Sequence, residues 1–236
     1  MIIFYRTIIK LYANILDMAC RAVLFDLDGT LLNTIQDLAD SANNVLSRSG
    51  FPAHRVEEYK YFVGSGMRNT VTLALPQDHR DRSTVDSIYA QMEDEYSKNW
   101  PKHTLPYPGI PELLDILIAR EIKLAILSNK PQQATEEMVL KLLTPWHFEV
   151  VLGAQPSFPL KPDPTAALQI AKWMNIDPSE FVYLGDSAID MKTAVAAKMY
   201  PVGALWGFRT ADELLSAGAE DLIYQPSDLL HIILNR

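Results

Sequence analysis

The sequence predicts an α/β protein: a doubly wound, Rossmann-like parallel sheet with an inserted α-helical cap domain. From residue 105 onward, short apolar runs alternate with segments of helical periodicity, and such alternation favours a parallel sheet covered by helices on both faces. The first apolar run, residues 22–25, lies about 95 residues before the next one, whereas a strand–helix–strand crossover needs only about 12. An insertion therefore follows the first strand.

The predicted core strands are short apolar runs bounded by polar or turn residues. In chain order they are residues 22–25, 122–127, 148–152, 181–184, 201–205 and 222–224. In a sheet of this kind, ligands bind beyond the carboxyl ends of the strands, at the point where the strand order reverses. Polar residues that directly follow these strands are therefore the candidate functional residues.

The inserted segment has helical periodicity throughout. Thr34 with Asp37, and Ser83 with Asp86, resemble capping boxes at the starts of two of its helices. We therefore expect three parts, which are an N-terminal extension (residues 1–17), a core domain (residues 18–33 and 105–236) and a helical cap domain (residues 34–104).

The composition limits the classes of function. The chain has 236 residues and a formal net charge of −8 at pH 7, which argues against a nucleic-acid backbone or an anionic membrane as a partner. Its single cysteine, Cys20, cannot form an internal disulfide, and a reducing cytoplasm is the simplest setting. The sequence leaves the choice between monomer and dimer open.

The first 17 residues are apolar but are interrupted by Arg6, Lys10 and Asp17. The stretch is too short and too charged for a membrane span of about 20 residues, and it lacks the basic start and the cleavage site of a signal peptide. It is either an amphipathic helix that packs on the body or on a partner, or an extension upstream of a natural start at Met18. We favour the extension because Met18 lies just ahead of the first core strand.

The motif Asp26-Leu27-Asp28-Gly29-Thr30 directly follows the first strand. Alternation along a strand sends the carboxylates of Asp26 and Asp28 to the same side. Two like charges at one site are unfavourable unless a cation or a shared proton relieves them, so a divalent metal is the natural partner. Taken alone, the motif is equally consistent with an acidic turn. Its register does not match a calcium-binding loop.

Polar residues also follow two later strands and precede a later helix. Residues 128–131 (Ser-Asn-Lys-Pro) place a hydroxyl beside expected helix N-terminal amides, an arrangement that suits a phosphate. Lys161 precedes another helix start, and Asp186 and Asp190 follow the strand at 181–184. Each alone is explained by a helix cap, a surface charge or a turn acid. Together, at the carboxyl ends of strands, they predict a metal-assisted phosphoryl-transfer site.

The same motifs carry a family resemblance. The chain resembles the haloacid dehalogenase superfamily, in particular its capped phosphatases, over about residues 21–225. The resemblance rests on four motifs in order: Asp26-Leu27-Asp28-Gly29-Thr30, Ser128-Asn129, Lys161-Pro162-Asp163-Pro164 and Gly185-Asp186-Ser187-Ala188-Ile189-Asp190. Dehalogenases of the superfamily lack an acid corresponding to Asp28, so its presence favours phosphate ester hydrolysis.

The resemblance implies a role for each matched residue. Asp26 is expected to be the nucleophile that forms an aspartyl-phosphate, and Asp28 the general acid and base. Ser128 and Lys161 are expected to contact the phosphoryl group. Substrate-binding roles are further implied for Gly29, Thr30 and Asn129.

The resemblance also implies a Mg²⁺ cofactor. Its expected ligands are the Asp26 carboxylate, the Asp28 carbonyl and Asp186. Asp190 is expected either to bind the metal directly or to orient a water ligand, and the sequence does not decide between these two roles.

Within the capped phosphatases, the chain is most similar to phosphoglycolate phosphatases, in residues 62–68 and 206–210. Gly64 and Gly66 would allow the cap backbone to approach a ligand, and Arg68 would bind a carboxylate in bidentate fashion. Gly207 and Arg209 are predicted to be structural.

The expected partner is a small phosphorylated metabolite, with 2-phosphoglycolate as the first candidate substrate. Two alternatives remain open: a phosphosugar mutase of the same superfamily and a non-catalytic phosphometabolite-binding module.

Overall fold

The computed structural model describes residues 20–236. The predicted extension (1–17) and the proposed start at Met18 lie outside the described residues. In chain order, the strands are β1 (Ala22–Phe25), β2 (Leu32–Asn33), β3 (Leu105–Pro106), β4 (Lys123–Pro131), β5 (Val150–Ala154), β6 (Phe181–Gly185), β7 (Tyr200–Ala204) and β8 (Asp221–Ile223). The six predicted core strands are therefore all present, with small shifts at their ends.

Ten α-helices lie within residues 20–236. They are α1 (Ile35–Arg48), α2 (Val56–Phe62), α3 (Met67–Ala74), α4 (Arg82–Asn99), α5 (Ile110–Ala119), α6 (Gln132–Leu142), α7 (Thr165–Met174), α8 (Ala188–Ala197), α9 (Ala211–Ser216) and α10 (Leu229–Leu234). None of these helices is long and apolar enough to cross a membrane.

The main sheet has the strand order β5-β4-β1-β6-β7-β8, and every neighbouring pair is parallel. β1 lies between β4 and β6, so the chain crosses first to one side of β1 and later to the other. This is the reversal of strand order at which doubly wound sheets bind ligands. The predicted fold class is confirmed.

The residues of β1 are completely buried, because helices cover both faces of the sheet. Val23 and Phe25 pack into one apolar cluster, and Ala22 and Leu24 pack into the other. This alternation follows from the two-residue period of a strand. It also explains why the run from Ala22 to Phe25 is apolar at every position.

The helical insert comprises α1 to α4 and joins the core through two short strands. β2 leads into the insert and β3 leads out of it, and the two pair in antiparallel fashion. Beside them, the Tyr107 amide donates a hydrogen bond to the Leu31 carbonyl at 3.1 Å. The two connections between core and insert therefore lie next to each other. The exact boundaries of the cap domain, residues 34 and 104, stay a prediction.

Both predicted capping boxes are wrong. The Thr34 side chain makes no capping hydrogen bond, and α4 is capped by Asp81, whose carboxylate accepts from the Ser83 and Thr84 amides. The buried Asp37 instead accepts from the Thr104 amide at 2.9 Å and from its hydroxyl at 2.6 Å. Asp37 therefore stabilises the exit from the insert, a long-range contact without a local signal.

β4 is longer than predicted. It continues through Pro131, with an irregularity between Leu127 and Pro131, and α6 begins only at Gln132. The expected helix N-terminal amides directly beside Ser128 are therefore absent from this position, because the polar residues 128–131 extend the strand instead of starting the helix.

Candidate active site

Three buried carboxylates meet at the carboxyl ends of β1 and β6. One oxygen each from Asp26, Asp186 and Asp190 lies within 4.8 Å of the others. Asp26 directly follows the last residue of β1, and its amide donates a hydrogen bond to the Leu184 carbonyl of β6 at 3.0 Å. The switch of strand order at β1 thus gathers acids that lie about 160 residues apart in the sequence.

Lys161 supplies a positive charge within this acidic cluster. Its ammonium lies 2.8 Å from Asp26 Oδ1 and 2.7 Å from Asp190 Oδ1, and it donates a further hydrogen bond to the Leu127 carbonyl at 3.0 Å. The residue is buried. Burial opposes its charge, but the two neighbouring carboxylates outweigh burial and raise the pKa of Lys161. Lys161 is therefore a fixed cation.

The electrostatics of the cluster favour an additional cation. Burial, together with the charge of Asp190, raises the pKa of Asp26, although Lys161 opposes this shift. Burial and Asp190 raise the pKa of Asp186 to about 7. Three carboxylates share one ammonium, so a net negative charge remains when all are ionised. Oxygen donors with this excess charge fit a hard divalent cation such as Mg²⁺.

One backbone amide and one side-chain hydroxyl position Asp186 tightly. The Phe208 amide donates a hydrogen bond to Oδ2 at 2.7 Å, and the Thr30 hydroxyl donates to Oδ1 at 3.3 Å. A Cβ atom added to Gly29 would lie 2.7 Å from Asp186 Cγ, and one added to Gly207 would lie 2.6 Å from it. Thus Gly29 and Thr30, predicted to bind substrate, contact Asp186.

Hydrogen bonds occupy both carboxylate oxygens of Asp190. Oδ1 accepts from Lys161 and from the Tyr183 hydroxyl at 3.3 Å. Oδ2 accepts from the Ser187 amide at 3.1 Å and from its hydroxyl at 2.5 Å. Asp190 is also completely buried. Although Asp190 lies within the acidic cluster, its partners suit a residue that orients Lys161 better than a direct metal ligand.

The second acid of the first motif contacts a different cation. Asp28 Oδ2 lies 3.1 Å from the Lys130 ammonium, and Asp28 Oδ1 is buried without a hydrogen-bond partner. The Lys130 ammonium also lies 3.4 Å from the Tyr96 hydroxyl and 4.8 Å from the centroid of the Tyr96 ring. Because Tyr96 belongs to α4, this contact links the acid to the helical insert.

Asn129 holds three segments together at the end of β4. Its Nδ2 donates hydrogen bonds to the Gly64 carbonyl and the Lys161 carbonyl, both at 3.0 Å. Its Oδ1 accepts from the Lys161 amide at 2.9 Å. The preceding Ser128 is buried, and its hydroxyl accepts from the Lys130 amide at 3.2 Å. Asn129 therefore fixes the backbone of Lys161 and joins it to the insert.

A cavity of about 40 Å³ lies between the strand ends and the insert. Its lining includes the predicted site residues Asp26, Asp28, Gly64, Gly66, Ser128, Asn129, Lys161 and Asp186. Arg68 does not line this cavity and forms a salt bridge with Asp86, with about half of each side chain exposed. The structure thus brings together most predicted site residues but leaves Arg68 outside.

Two further cations line the cavity without having been predicted as site residues: Lys130 and Arg209. Lys130 lies in the polar run 128–131 at the end of β4, so the sequence did place it near the site. Arg209 lies within a segment similar to phosphoglycolate phosphatases, but its contact with the insert depends on tertiary structure alone. The Phe208 contact to Asp186 is made by a backbone amide and therefore has no sequence signal.

Comparison with known proteins identifies the family. A family model described as haloacid dehalogenase-like hydrolase matches residues 23–204. The chain belongs to this hydrolase family. Among its relatives, the phosphoglycolate phosphatase of Psychrobacter arcticus is 32% identical over 200 residues, which cover 81% of this chain and 86% of the relative. The phosphoglycolate phosphatase of Chromobacterium violaceum is 29% identical over 218 residues, which cover 91% and 97% of the two chains.

A solved structure supports the same conclusion. A protein from Lactobacillus delbrueckii subsp. bulgaricus, provisionally assigned as a phosphoglycolate phosphatase, matches with a TM-score of 0.86 at 29% identity, covering 92% of this chain and 99% of that one. The predicted resemblance to haloacid dehalogenase-like hydrolases is confirmed. The prediction of an enzyme of the phosphoric monoester hydrolase class is confirmed as well.

Proposed function

We propose that this hydrolase is a Mg²⁺-dependent phosphatase that cleaves a small phosphorylated metabolite through an aspartyl-phosphate on Asp26. The observation that carries the proposal is the Lys161 ammonium, which lies within 2.8 Å of both Asp26 and Asp190 in a buried acidic cluster. 2-Phosphoglycolate is the first candidate substrate, because two relatives that cover most of the chain are phosphoglycolate phosphatases.

Asp26 is the proposed nucleophile. Its Oδ1 accepts hydrogen bonds from the Leu27 amide at 2.7 Å and from Lys161, which hold the carboxylate at the end of β1. Attack on phosphorus forms the acyl phosphate on Asp26 and breaks the ester P–O bond, and water then cleaves the acyl phosphate. Lys161 offsets the charge shared by Asp26 and the phosphoryl group, while the Ser128 hydroxyl and the Asn129 amide hold phosphoryl oxygens.

Asp28 is the proposed general acid and base. It protonates the leaving alkoxide in the first displacement and accepts a proton from the hydrolytic water in the second. The two carboxylate oxygens differ in a way that supports this role. Oδ2 faces the Lys130 ammonium, whereas Oδ1 has no hydrogen-bond partner among the described residues.

Asp26 and Asp186, with the Asp28 carbonyl, would hold Mg²⁺, which neutralises negative charge on the transferring phosphoryl group when bound. In this proposal Asp190 orients Lys161 and Ser187, because both of its oxygens already accept hydrogen bonds. The helical cap excludes bulk water from the cavity. We also propose a cytoplasmic location, consistent with the single buried and unpaired cysteine, Cys20.

Steady-state phosphate release tests the proposal. The panel contains 2-phosphoglycolate, a hexose phosphate, a nucleoside monophosphate and pyrophosphate, each with Mg²⁺ and with EDTA. We expect kcat/KM to be highest for 2-phosphoglycolate and activity to require Mg²⁺. Asp26→Asn should reduce kcat by at least about 10³-fold, because the nucleophile is lost. Asp163→Asn, in the same loop as Lys161 but exposed, is the matched control.

Three outcomes would contradict parts of this proposal. Undiminished turnover by Asp26→Asn would exclude Asp26 as the nucleophile. Full activity in EDTA would exclude the metal requirement. An isomeric phosphate formed from the hexose phosphate without free phosphate would identify a mutase, because the phosphoryl group would then have passed to a sugar hydroxyl.

A further inference from the structure

Arg209 lies on the loop between β7 and α9, beside the acidic cluster. The preceding residue, Phe208, donates its amide hydrogen bond to Asp186 Oδ2 at 2.7 Å. This contact fixes the backbone at the start of the Arg209 side chain. The guanidinium reaches across to the insert, where Nη2 donates to the Val63 carbonyl at 2.9 Å. Arg209 therefore spans the boundary between core and cap at the active-site cavity.

The guanidinium of Arg209 is incompletely paired. Nε lies 3.2 Å from Glu213 Oε1, Nη2 binds the Val63 carbonyl, and Nη1 is buried without a hydrogen-bond partner. The Tyr61 ring lies 5.4 Å from the guanidinium carbon, and only 11% of the side chain is exposed. A buried charged donor without a partner is costly, and it marks a position at which a ligand acceptor would restore the missing hydrogen bond.

Three cationic side chains line the cavity: Lys130, Lys161 and Arg209. Lys161 is shared between two carboxylates of the acidic cluster, and Lys130 pairs with Asp28. The acidic partner of Arg209 is Glu213, which occupies only Nε and is itself about one-third exposed. Among the described cations at the cavity, Arg209 is thus the one with a buried nitrogen left for a second anion.

Arg209 shares one cavity with the proposed phosphoryl site. Asp26, Ser128, Lys161 and Arg209 all line it. Gly64 is a neighbour of the guanidinium, because an added Cβ atom would lie 3.9 Å from Arg209 Nη2, an ordinary van der Waals contact. A substrate with its phosphate at Asp26 therefore meets a second cation, Arg209, in the same cavity.

We propose that Arg209 binds the carboxylate of a short phosphorylated carboxylic acid and thereby selects such substrates over phosphate esters with an uncharged tail. The proposal rests on the phosphatase function proposed above and replaces Arg68 with Arg209 as the carboxylate-binding residue. A guanidinium suits this task because its N–H groups match a carboxylate in charge and geometry.

The test compares two substrates of similar length, 2-phosphoglycolate and 2-hydroxyethyl phosphate, which lacks the carboxylate. For Arg209→Met we expect kcat/KM to fall by about 10- to 100-fold on 2-phosphoglycolate, the loss expected for a hydrogen bond to a charged group. On 2-hydroxyethyl phosphate the change should be less than about threefold. Arg209→Lys should retain part of the preference because it keeps the charge. Arg68→Met, which removes an arginine outside the cavity, is the matched control.

The two proposals fail in distinguishable ways. If the wild-type protein releases phosphate from no substrate of the panel above, the phosphatase function fails; if it hydrolyses others of that panel but neither of these two substrates, only the carboxylate proposal fails. If it hydrolyses both but Arg209→Met lowers both rates equally, the residue has only a structural role at the cap, and the carboxylate proposal fails. A selective loss in Arg68→Met instead of Arg209→Met would also overturn it. Activity on 2-hydroxyethyl phosphate reports that each variant is folded.

Discussion

The Lys130 ammonium lies 3.1 Å from Asp28 Oδ2, and both side chains are almost completely buried. The pair lies at the boundary between β4 and the helical insert, because the same ammonium contacts Tyr96 of α4. Asp28 is the proposed acid and base, so a contact from the insert reaches a reacting group through a single lysine. The position of Asp28 therefore depends on a lysine that also contacts the insert.

Removal of this lysine should affect stability and turnover together. Lys130→Met leaves the Asp28 carboxylate buried without its cation, and we expect the free energy of unfolding to fall by about 3 kcal/mol. kcat should fall at least about tenfold, since a displaced acid transfers protons less efficiently. Chemical denaturation and steady-state kinetics measure the two effects. Lys141→Met is the control, because Lys141 is exposed and contacts Trp100 instead of Asp28.

A double variant separates the two effects of Lys130. In Lys130→Met combined with Asp28→Asn, the unpaired charge is gone, so stability should return toward the wild-type value while activity stays low. Equal stability of the single and double variants would contradict a charge-pair role for Lys130.

Gly207 should matter through the space beside Asp186. Gly207→Ala places a Cβ atom against the Asp186 carboxylate and should displace this carboxylate. The Mg²⁺ concentration for half-maximal activity should therefore rise at least about tenfold, which is the effect of losing a residue that supports a metal ligand. A Mg²⁺ titration of phosphate release measures this. Gly50→Ala is a useful comparison for general strain: its φ of +80° disfavours a side chain, but no atom lies within 4 Å of the added Cβ, so the Mg²⁺ requirement should not change. An unchanged Mg²⁺ requirement in Gly207→Ala would show that Asp186 is not a ligand.

The raised pKa of Asp186 predicts a specific pH dependence. Burial and Asp190 raise this pKa from 3.8 to about 7, so the folded protein favours the protonated form. Without metal, the contribution of this shift to the free energy of unfolding is complete below about pH 4. This contribution is lost as the pH rises through 7, by up to about 4 kcal/mol. Thermal unfolding in EDTA from pH 5 to 8 should show this decline, and Asp186→Asn should reduce it. Mg²⁺ should stabilise the protein more at pH 8 than at pH 5.

Asp37 should contribute to stability more than its neighbour Asp40. Asp37 is buried and accepts hydrogen bonds from Thr104 and from the amides of Lys102 and His103. Asp37→Ala should lower the free energy of unfolding by about 2 kcal/mol, because these donors lose a charged acceptor. Asp40→Ala, on the same helix but about half exposed, should change it by less than about 0.5 kcal/mol. Equal effects in urea denaturation would contradict this assignment.

The features predictable from the sequence were those with a local signal. Asp26, Lys161 and Asp186 each follow a core strand or precede a core helix, and the parallel sheet brings such positions to one edge. The role of Asp37 was predicted wrongly, because a capping box and a long-range hydrogen bond use the same residue types. The different surroundings of Arg68 and Arg209 depend on how the insert packs against the core. Periodicity along either segment contains no information about that packing.

The paired strands β2 and β3 have an architectural consequence. They place the entry and exit of the insert one strand spacing apart, about 5 Å. The two core segments that flank the insert therefore lie side by side at this junction. A foreign helical module whose own termini lie equally close could be grafted between Asn33 and Leu105 without opening the sheet. The catalytic strand ends would then keep their arrangement while the residues facing the substrate changed, which makes this junction a natural point for exchanging specificity.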